Sequence, residues 1–127
     1  MMSMEKNQKQ DKTLIELAGL LKILSEPNRL RILEKIMDGV QCNCELGGAL
    51  QIAPNLISHH LSVLRDAGLI DTERDPFDAR WIYYSINIST LEEIGTLLNG
   101  FFDPGRVKPR RLTCGPSFVQ EQIQQSG

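Results

Sequence analysis

The sequence predicts a mainly α-helical domain with a single β-hairpin, in the order ααααββα. Three observations lead there. Leucine and isoleucine recur at three- and four-residue spacings through residues 13–67, the signature of helices with one buried face. Proline or glycine stands at each expected break, at Pro27, Gly39, Pro54 and Gly68. After Gly68 the pattern changes to "LIDTER" and "RWIYYSIN", two runs rich in β-branched and aromatic residues, as strands are.

The first dozen residues, "MMSMEKNQKQDK", are polar and are expected to fray as a flexible segment. From Thr13, the positions Leu14, Leu17, Leu20, Leu21 and Leu24 form one apolar face of a helix. That helix should stop near Ser25, because the residue before Pro27 is pushed out of helical geometry. Pro27 suits the first turn of a second helix, where its missing N–H costs nothing. Leu30, Ile32, Leu33, Ile36 and Met37 supply its buried face, and Gly39 stops it. A short third helix is expected from about Cys44 to Gln51, with Asn43 as its N-cap. "IAPN" is a turn, and "NLISHHLSVLRDAGL" is a fourth helix with Leu56, Ile57, Leu61 and Leu64 inward, ended by Gly68. "DPFDA" links the two strands as a hairpin turn. "STLEEIGTLLNGFF" is a last amphipathic helix, opened by a capping box from Ser89 or Thr90 to Glu92 or Glu93. The organisation is therefore a flexible start (1–12), one folded domain (13–103) and a tail (104–127) holding "RVKPRR", Cys114 and a Gln-rich end.

Composition narrows the function. A chain of 127 residues, 41% hydrophobic and 24% charged, is one ordinary soluble domain. It has no apolar run near the roughly 20 residues of a membrane span, and no secretory signal at its start. Three cysteines cannot close a disulfide framework, so free thiols in a reducing cytoplasm are expected. A net charge of −2 argues against nucleic-acid binding by bulk charge, though not against a local DNA-reading face. No glycine-rich phosphate loop, paired-His metal motif or nucleophile motif supports an enzyme.

Two helices joined by a tight turn and followed by a hairpin make the winged helix-turn-helix arrangement, whose second helix enters the DNA major groove. "LSEPNRLRIL", "SHHLSVLRDAGLI" and "RWIYYSI", in that order, closely resemble segments of ArsR/SmtB metalloregulatory repressors, and the resemblance spans about residues 14–102. It implies a homodimer that binds a palindromic operator in double-stranded DNA and releases it when a metal ion or metalloid binds. The apolar residues of the first and last helices, Leu14, Leu17, Leu21, Ile94, Leu97, Leu98 and Phe101, exceed what a monomer needs to cover and suit that dimer.

Asn55, Ser58, His59 and Ser62 supply the polar face of the reading helix, with donors and acceptors for base edges or phosphates. Its electrostatics are weak: between residues 54 and 84, Arg65, Arg74 and Arg80 face Asp66, Asp71, Glu73, Asp75 and Asp78. Phosphate contact must come from placed groups, with Arg65 on the helix and Arg80 beside the wing as the DNA-binding cations.

Cys42 and Cys44 stand two residues apart and would diverge by about 200° on a regular helix. They can share one ion only where the helix begins or is distorted. The positive end of the helix dipole there is expected to lower thiol pKa and favour thiolate. In the arsenic-responsive branch of the resembled family, Cys-x-Cys followed by an acid and Leu marks this helix start, and "CNCEL" matches at Cys42, Cys44, Glu45 and Leu46. That branch often has a further cysteine where this chain has Gly47, so Cys114 is the one remaining thiol to complete a metal site. The implied inducer is As(III), with Sb(III), Cd(II) or Pb(II) as alternatives. Gathering both thiols should distort the third helix, which is expected to pack on the reading helix through Leu46, Ala49 and Leu50. A second family site on the last helix is not expected, because Ser89 to Asp103 contains no His and Glu92, Glu93 and Asp103 alone bind zinc or nickel poorly. His59 and His60 are both better explained by the reading helix. The competing function on the same fold is a thiol redox or persulfide switch joining Cys114 to one of the close pair, since a Cys42–Cys44 disulfide would be strained.

Overall fold

The computed structural model describes residues 2–39, 42–111 and 113–116, so the Gln-rich end of the tail lies outside the described residues. Helix α1 (Met2–Leu24) is followed by α2 (Pro27–Met37), α3 (Asn43–Leu50) and α4 (Pro54–Asp66). Strands β1 (Ile70–Arg74) and β2 (Ile82–Ile86) form an antiparallel hairpin, and α5 (Ile88–Phe101) closes the domain.

α1 begins well before its apolar stripe, and residues 2–12 already belong to its helix. The stretch is rich in Met, Glu, Gln and Lys with no glycine or proline, and those residues lose little side-chain freedom in a helix. α2 opens as its proline predicts, and the Glu26 carboxylate caps it by accepting from the Arg29 N–H at 3.1 Å. Past its C-cap, Gly39 takes φ +101°, a left-handed conformation that suits glycine. Gly68 does the same after α4, at φ +79°.

Two helix starts and four side chains differ from the sequence expectation. Cys42, not Asn43, is the extended N-cap of α3, and Asn43 is its first helical residue. α5 starts at Ile88, so Ser89 and Thr90 already lie in its first turn, and Asn87 caps it by accepting from the Thr90 N–H at 3.0 Å. Leu30, Met37, Leu56 and Ala49 are exposed rather than buried. In each helix the buried set follows one strict phase, Ile32/Leu33/Ile36, Leu46/Leu50 and Ile57/Leu61/Leu64, and these four residues sit outside it.

The core gathers those side chains with Leu69 and Ile70 at the root of the hairpin. Its register pairs Ile70 with Ile86 at the base and Arg74 with Ile82 at the far end. At the tip, the Asp75 carboxylate accepts from the Phe77 and Asp78 N–H groups and from the Tyr83 hydroxyl, at 2.8, 3.1 and 2.7 Å. Those bonds, that of Tyr83 foremost, hold its carboxyl below the ordinary value. The "DPFDA" link is thus a turn built on Asp side chains, as expected.

α5 contributes no buried residue, and α1 buries only Leu17 among its described side chains. Both helices flank the core and leave apolar surface open. Between them runs a groove of about 560 Å³ lined by Leu14, Leu17, Leu97 and Phe101, among others.

Candidate functional site

α3, the break at residues 51–53 and α4 form the helix pair, and the hairpin stands beside it. Asn55, Ser58, His59 and Ser62 fall at i, i+3, i+4 and i+7 along α4, one stripe of the helix. Asn55, Ser58 and His59 are exposed, while Ser62 is half-buried and its hydroxyl donates to the Ser58 carbonyl at 2.9 Å. Arg65 is exposed and paired with Asp66 at 3.3 Å. Arg80 projects from the wing with its side chain 89% exposed, but it is clasped by Asp78 through two bonds of 3.0 and 2.9 Å.

His60 belongs elsewhere. It is buried on the core side of α4, 8% exposed, not on the reading face. Its Nδ1 accepts from Arg29 Nε at 3.2 Å and its Nε2 faces the Glu26 carboxylate at 3.5 Å, so it ties α4 to the start of α2. Arg29 also donates to the Ile23 carbonyl at 3.2 Å, drawing in the end of α1. Burial foremost lowers the His60 pKa from the ordinary 6.5, with Arg29 and His59 adding to the effect and Glu26 opposing it. A histidine that resists protonation when folded stabilises the fold fully above its unfolded pKa. That contribution is lost as the pH falls below about 6.5 toward the folded value. The urea midpoint is therefore expected to drop between pH 7 and pH 5, and His60→Gln should flatten that drop. An unchanged pH profile in His60→Gln would assign the acid sensitivity to another group.

The thiol pair is assembled by the start of α3. Cys42 is buried at the N-cap, Cys44 is exposed on the first turn, and their Sγ atoms lie 3.2 Å apart. The extended cap is what lets two thiols that would diverge on a regular helix face one point. The Cys42 thiol also donates to Glu45 Oε1 at 3.0 Å. Burial first, then the hydrogen bonds with Glu45 and Cys44, push it up to about 11, which corrects the expectation of a depressed pKa there. Loss of solvent and a neighbouring carboxylate outweigh the helix terminus. An ion bound at Cys42 must therefore displace a proton.

The pair spacing bears on what fits. Sulfurs 3.2 Å apart bound at about 2.3 Å enclose an angle of roughly 90°, whereas a tetrahedral ion would spread them to about 3.8 Å. The pair thus needs almost no opening to serve a pyramidal trivalent centre and about half an ångström to serve a tetrahedral one. Cys114 is exposed, and among the described residues no group of three or more His, Cys, Asp or Glu side chains is gathered as a metal site.

Two connections of this pair have no counterpart in the sequence pattern. Asn43, between the two cysteines, donates from Nδ2 to the Ser58 hydroxyl on the reading helix at 3.1 Å. Cys42 forms an isolated antiparallel bridge with Tyr83 of the wing strand. Propensity marks Asn43 only as a cap, and the bridge joins segments far apart in the chain, for which no local pattern gives a signal.

A helix pair with one exposed polar stripe and a β-hairpin beside it defines a winged helix-turn-helix DNA-binding protein. Residues 26–72 match the family model described as bacterial regulatory protein, arsR family. The arsenical resistance operon repressor of Staphylococcus aureus is 37% identical over 84 residues, covering 66% of this chain and 78% of that protein. The cadmium resistance transcriptional regulatory protein CadC of Listeria innocua is 32% identical over 82 residues, covering 61% of this chain and 66% of that one. Among solved structures, an ArsR-like transcriptional regulator from Rhodococcus sp. RHA1 superposes with a TM-score of 0.62 over 91% of this chain and 95% of its own. At 22% identity that likeness speaks to the fold alone. The chain belongs to the ArsR family, and it is a DNA-binding transcriptional repressor rather than an enzyme. Among the described residues no helix is long and apolar enough to cross a membrane.

Proposed function

We propose that this repressor works in the cytoplasm as a homodimer and leaves its operator when As(III), or a related soft ion such as Sb(III), Cd(II) or Pb(II), binds Cys42 and Cys44. One observation carries the reading: the thiol pair is wired to both DNA-facing elements, through Asn43 to Ser58 and through the Cys42 bridge to the wing. The thiols already face one point, so binding acts by replacing the bonds of Cys42 to Glu45 and Cys44 rather than by gathering the pair. A shift of the α3 start that follows acts on Asn43 and on the backbone bridge at once. Leu46 and Leu50 seat α3 against the core that also holds α4, so the disturbance reaches the reading helix through packing as well.

The names of the relatives support the ligand class, since one concerns arsenical and the other cadmium resistance. The pair's spacing suits As(III) as it stands, and a small rotation of the exposed Cys44 side chain admits a tetrahedral divalent ion. Glu45 can lend an oxygen at one side, and Cys114, exposed and outside the pair, is an auxiliary thiol only for an ion whose third position is not taken by a substituent. The test is operator binding by fluorescence anisotropy, titrated with As(III), Sb(III), Cd(II), Pb(II) and Zn(II). Release by arsenite ahead of the divalent ions is expected, and no release by any of them would overturn the reading.

The dimer is assigned to the open faces of α1 and α5, where Leu14 and Phe101 line the groove between the two helices and Leu21 and Leu91 are also exposed. Exposed apolar residues gathered on two neighbouring helices suit an interface. A dimeric mass is expected at micromolar concentration, with Leu97→Glu shifting it to the monomer. A monomeric parent protein at that concentration would remove the assignment.

A further inference from the structure

Beside the thiol pair lies a groove of about 510 Å³, within the size range of small-molecule sites. Cys42, Asn43 and Cys44 form one side of it, and Trp81, Ile82 and Tyr84 of the wing form the other, with Arg80 also lining it. We propose that this groove is a subsite for the organic substituent of a monoorgano arsenic(III) compound, an alkyl- or arylarsonous acid whose arsenic is held by Cys42 and Cys44. The inference rests on the proposed thiol site and names the ligand class that fits it best.

The coordination count leads to this class. Trivalent arsenic takes three partners in a pyramid, and the two thiols, 3.2 Å apart, supply two of them. Among the described residues no third thiol joins the pair, since Cys114 belongs to no ligand cluster. Inorganic arsenite bound by two thiols would keep a hydroxyl as its third group. That hydroxyl can be met by the polar rim at Asn43 and Arg80, but it gains nothing from the apolar wall of Trp81, Ile82 and Tyr84. A carbon substituent in the same position buries apolar surface against Trp81, Ile82 and Tyr84 instead, and an aryl group adds contact between rings.

The reaction balances without a redox partner. The arsonous acid R–As(OH)2 and two thiols give R–As(S–Cys)2 and two waters. Two As–S bonds form as two As–O bonds break, and each thiol proton leaves with a hydroxide as water. Arsenic remains trivalent, and the R–As bond is untouched. Because the groove has the wing strand as its second wall, its occupant would bear on the hairpin that carries Arg80 as well as on α3.

The test compares phenylarsonous and methylarsonous acid on the reduced full-length protein by titration calorimetry. Each affinity is divided by that of the same compound for dithiothreitol, a free dithiol with no groove beside it. The division removes the intrinsic dithiol chemistry, so any remaining preference comes from the groove. After it, the phenyl compound is expected to bind about tenfold more tightly than the methyl compound. Trp81 is the only tryptophan in the chain, so its fluorescence should change on phenyl binding. Trp81→Ala and Tyr84→Ala should each cut the preference to about twofold or less. Tight arsenite binding without a phenyl preference, or a preference that survives both substitutions, would overturn the subsite while leaving the thiol site standing. Failure of all three arsenicals to bind would overturn the thiol site itself, and the subsite with it.

Discussion

Cys42→Ser and Cys44→Ser are expected to bind operator DNA as the parent chain does and to stay bound when arsenite is added. A hydroxyl in place of either thiol leaves one sulfur, and one sulfur gives the ion no reason to prefer a rearranged α3. Release depends on that preference: an ion that bound both arrangements equally would shift nothing, however tightly it bound. A roughly 100-fold loss of operator affinity requires about 2.7 kcal/mol of differential binding. Cys42 is buried against the wing strand, so Cys42→Ser also tests whether the bridge to Tyr83 tolerates a small polar side chain. Asn43→Ala separates ligation from transmission. Its bond to Ser58 is exposed and neutral, a class worth about 0.5–1.5 kcal/mol, so its loss should weaken arsenite-driven release by up to roughly tenfold while arsenite still binds. Cys114→Ser should give an intermediate response. Full arsenite response in Cys42→Ser would overturn the site. Loss of all response in Cys114→Ser would show a strict three-thiolate site and exclude the two-thiol version.

The order of helices and the hairpin is legible in the sequence because the phase of a helix and the alternation of a strand are local properties, and the breaks fall on proline and glycine. The discrepancies in the buried faces come from judging burial by residue type rather than by helical phase. In α4 the stripe Ile57, Leu61 and Leu64 already fixes the inward phase, and position 60 lies within it while position 56 lies outside. Leu56 is accordingly exposed, and His60 is accordingly buried with Arg29 and Glu26 as partners. That signal is present in the sequence, but residue type points the other way. The start of α3 shifts by one residue for a related reason: Asn is a strong cap by propensity, but here its side chain reaches across to Ser58 and Cys42 takes the cap. The cysteine pair is legible from its spacing. Its surroundings are not, because Trp81, Tyr83 and Tyr84 approach it only through the hairpin's return, and the rise in the Cys42 pKa follows from that burial.

Ser58→Ala and His59→Ala are expected to weaken binding to the cognate operator by roughly 5- to 100-fold each, the range of one good base contact, and to change binding to random DNA far less. Both residues are exposed on the stripe that α4 presents. The Ser58 oxygen already accepts from Asn43, which leaves its own hydroxyl proton to donate to a base. The wing should behave differently. Arg80 is clasped by Asp78, so its charge reaches phosphate only after that pair opens or while it is partly neutralised. Arg80→Ala should therefore lower affinity for cognate and random DNA alike, and reduce the salt slope by no more than about 0.9 per chain. Asp78→Asn removes the competing carboxylate and should raise affinity for both DNAs, with a steeper salt dependence. That opposite response distinguishes a phosphate-facing wing from a merely solvated ion pair, for which the Arg80 and Asp78 substitutions would both leave the salt slope unchanged. Operator affinity untouched by the Ser58 and His59 substitutions would show that α4 does not read the groove with this face.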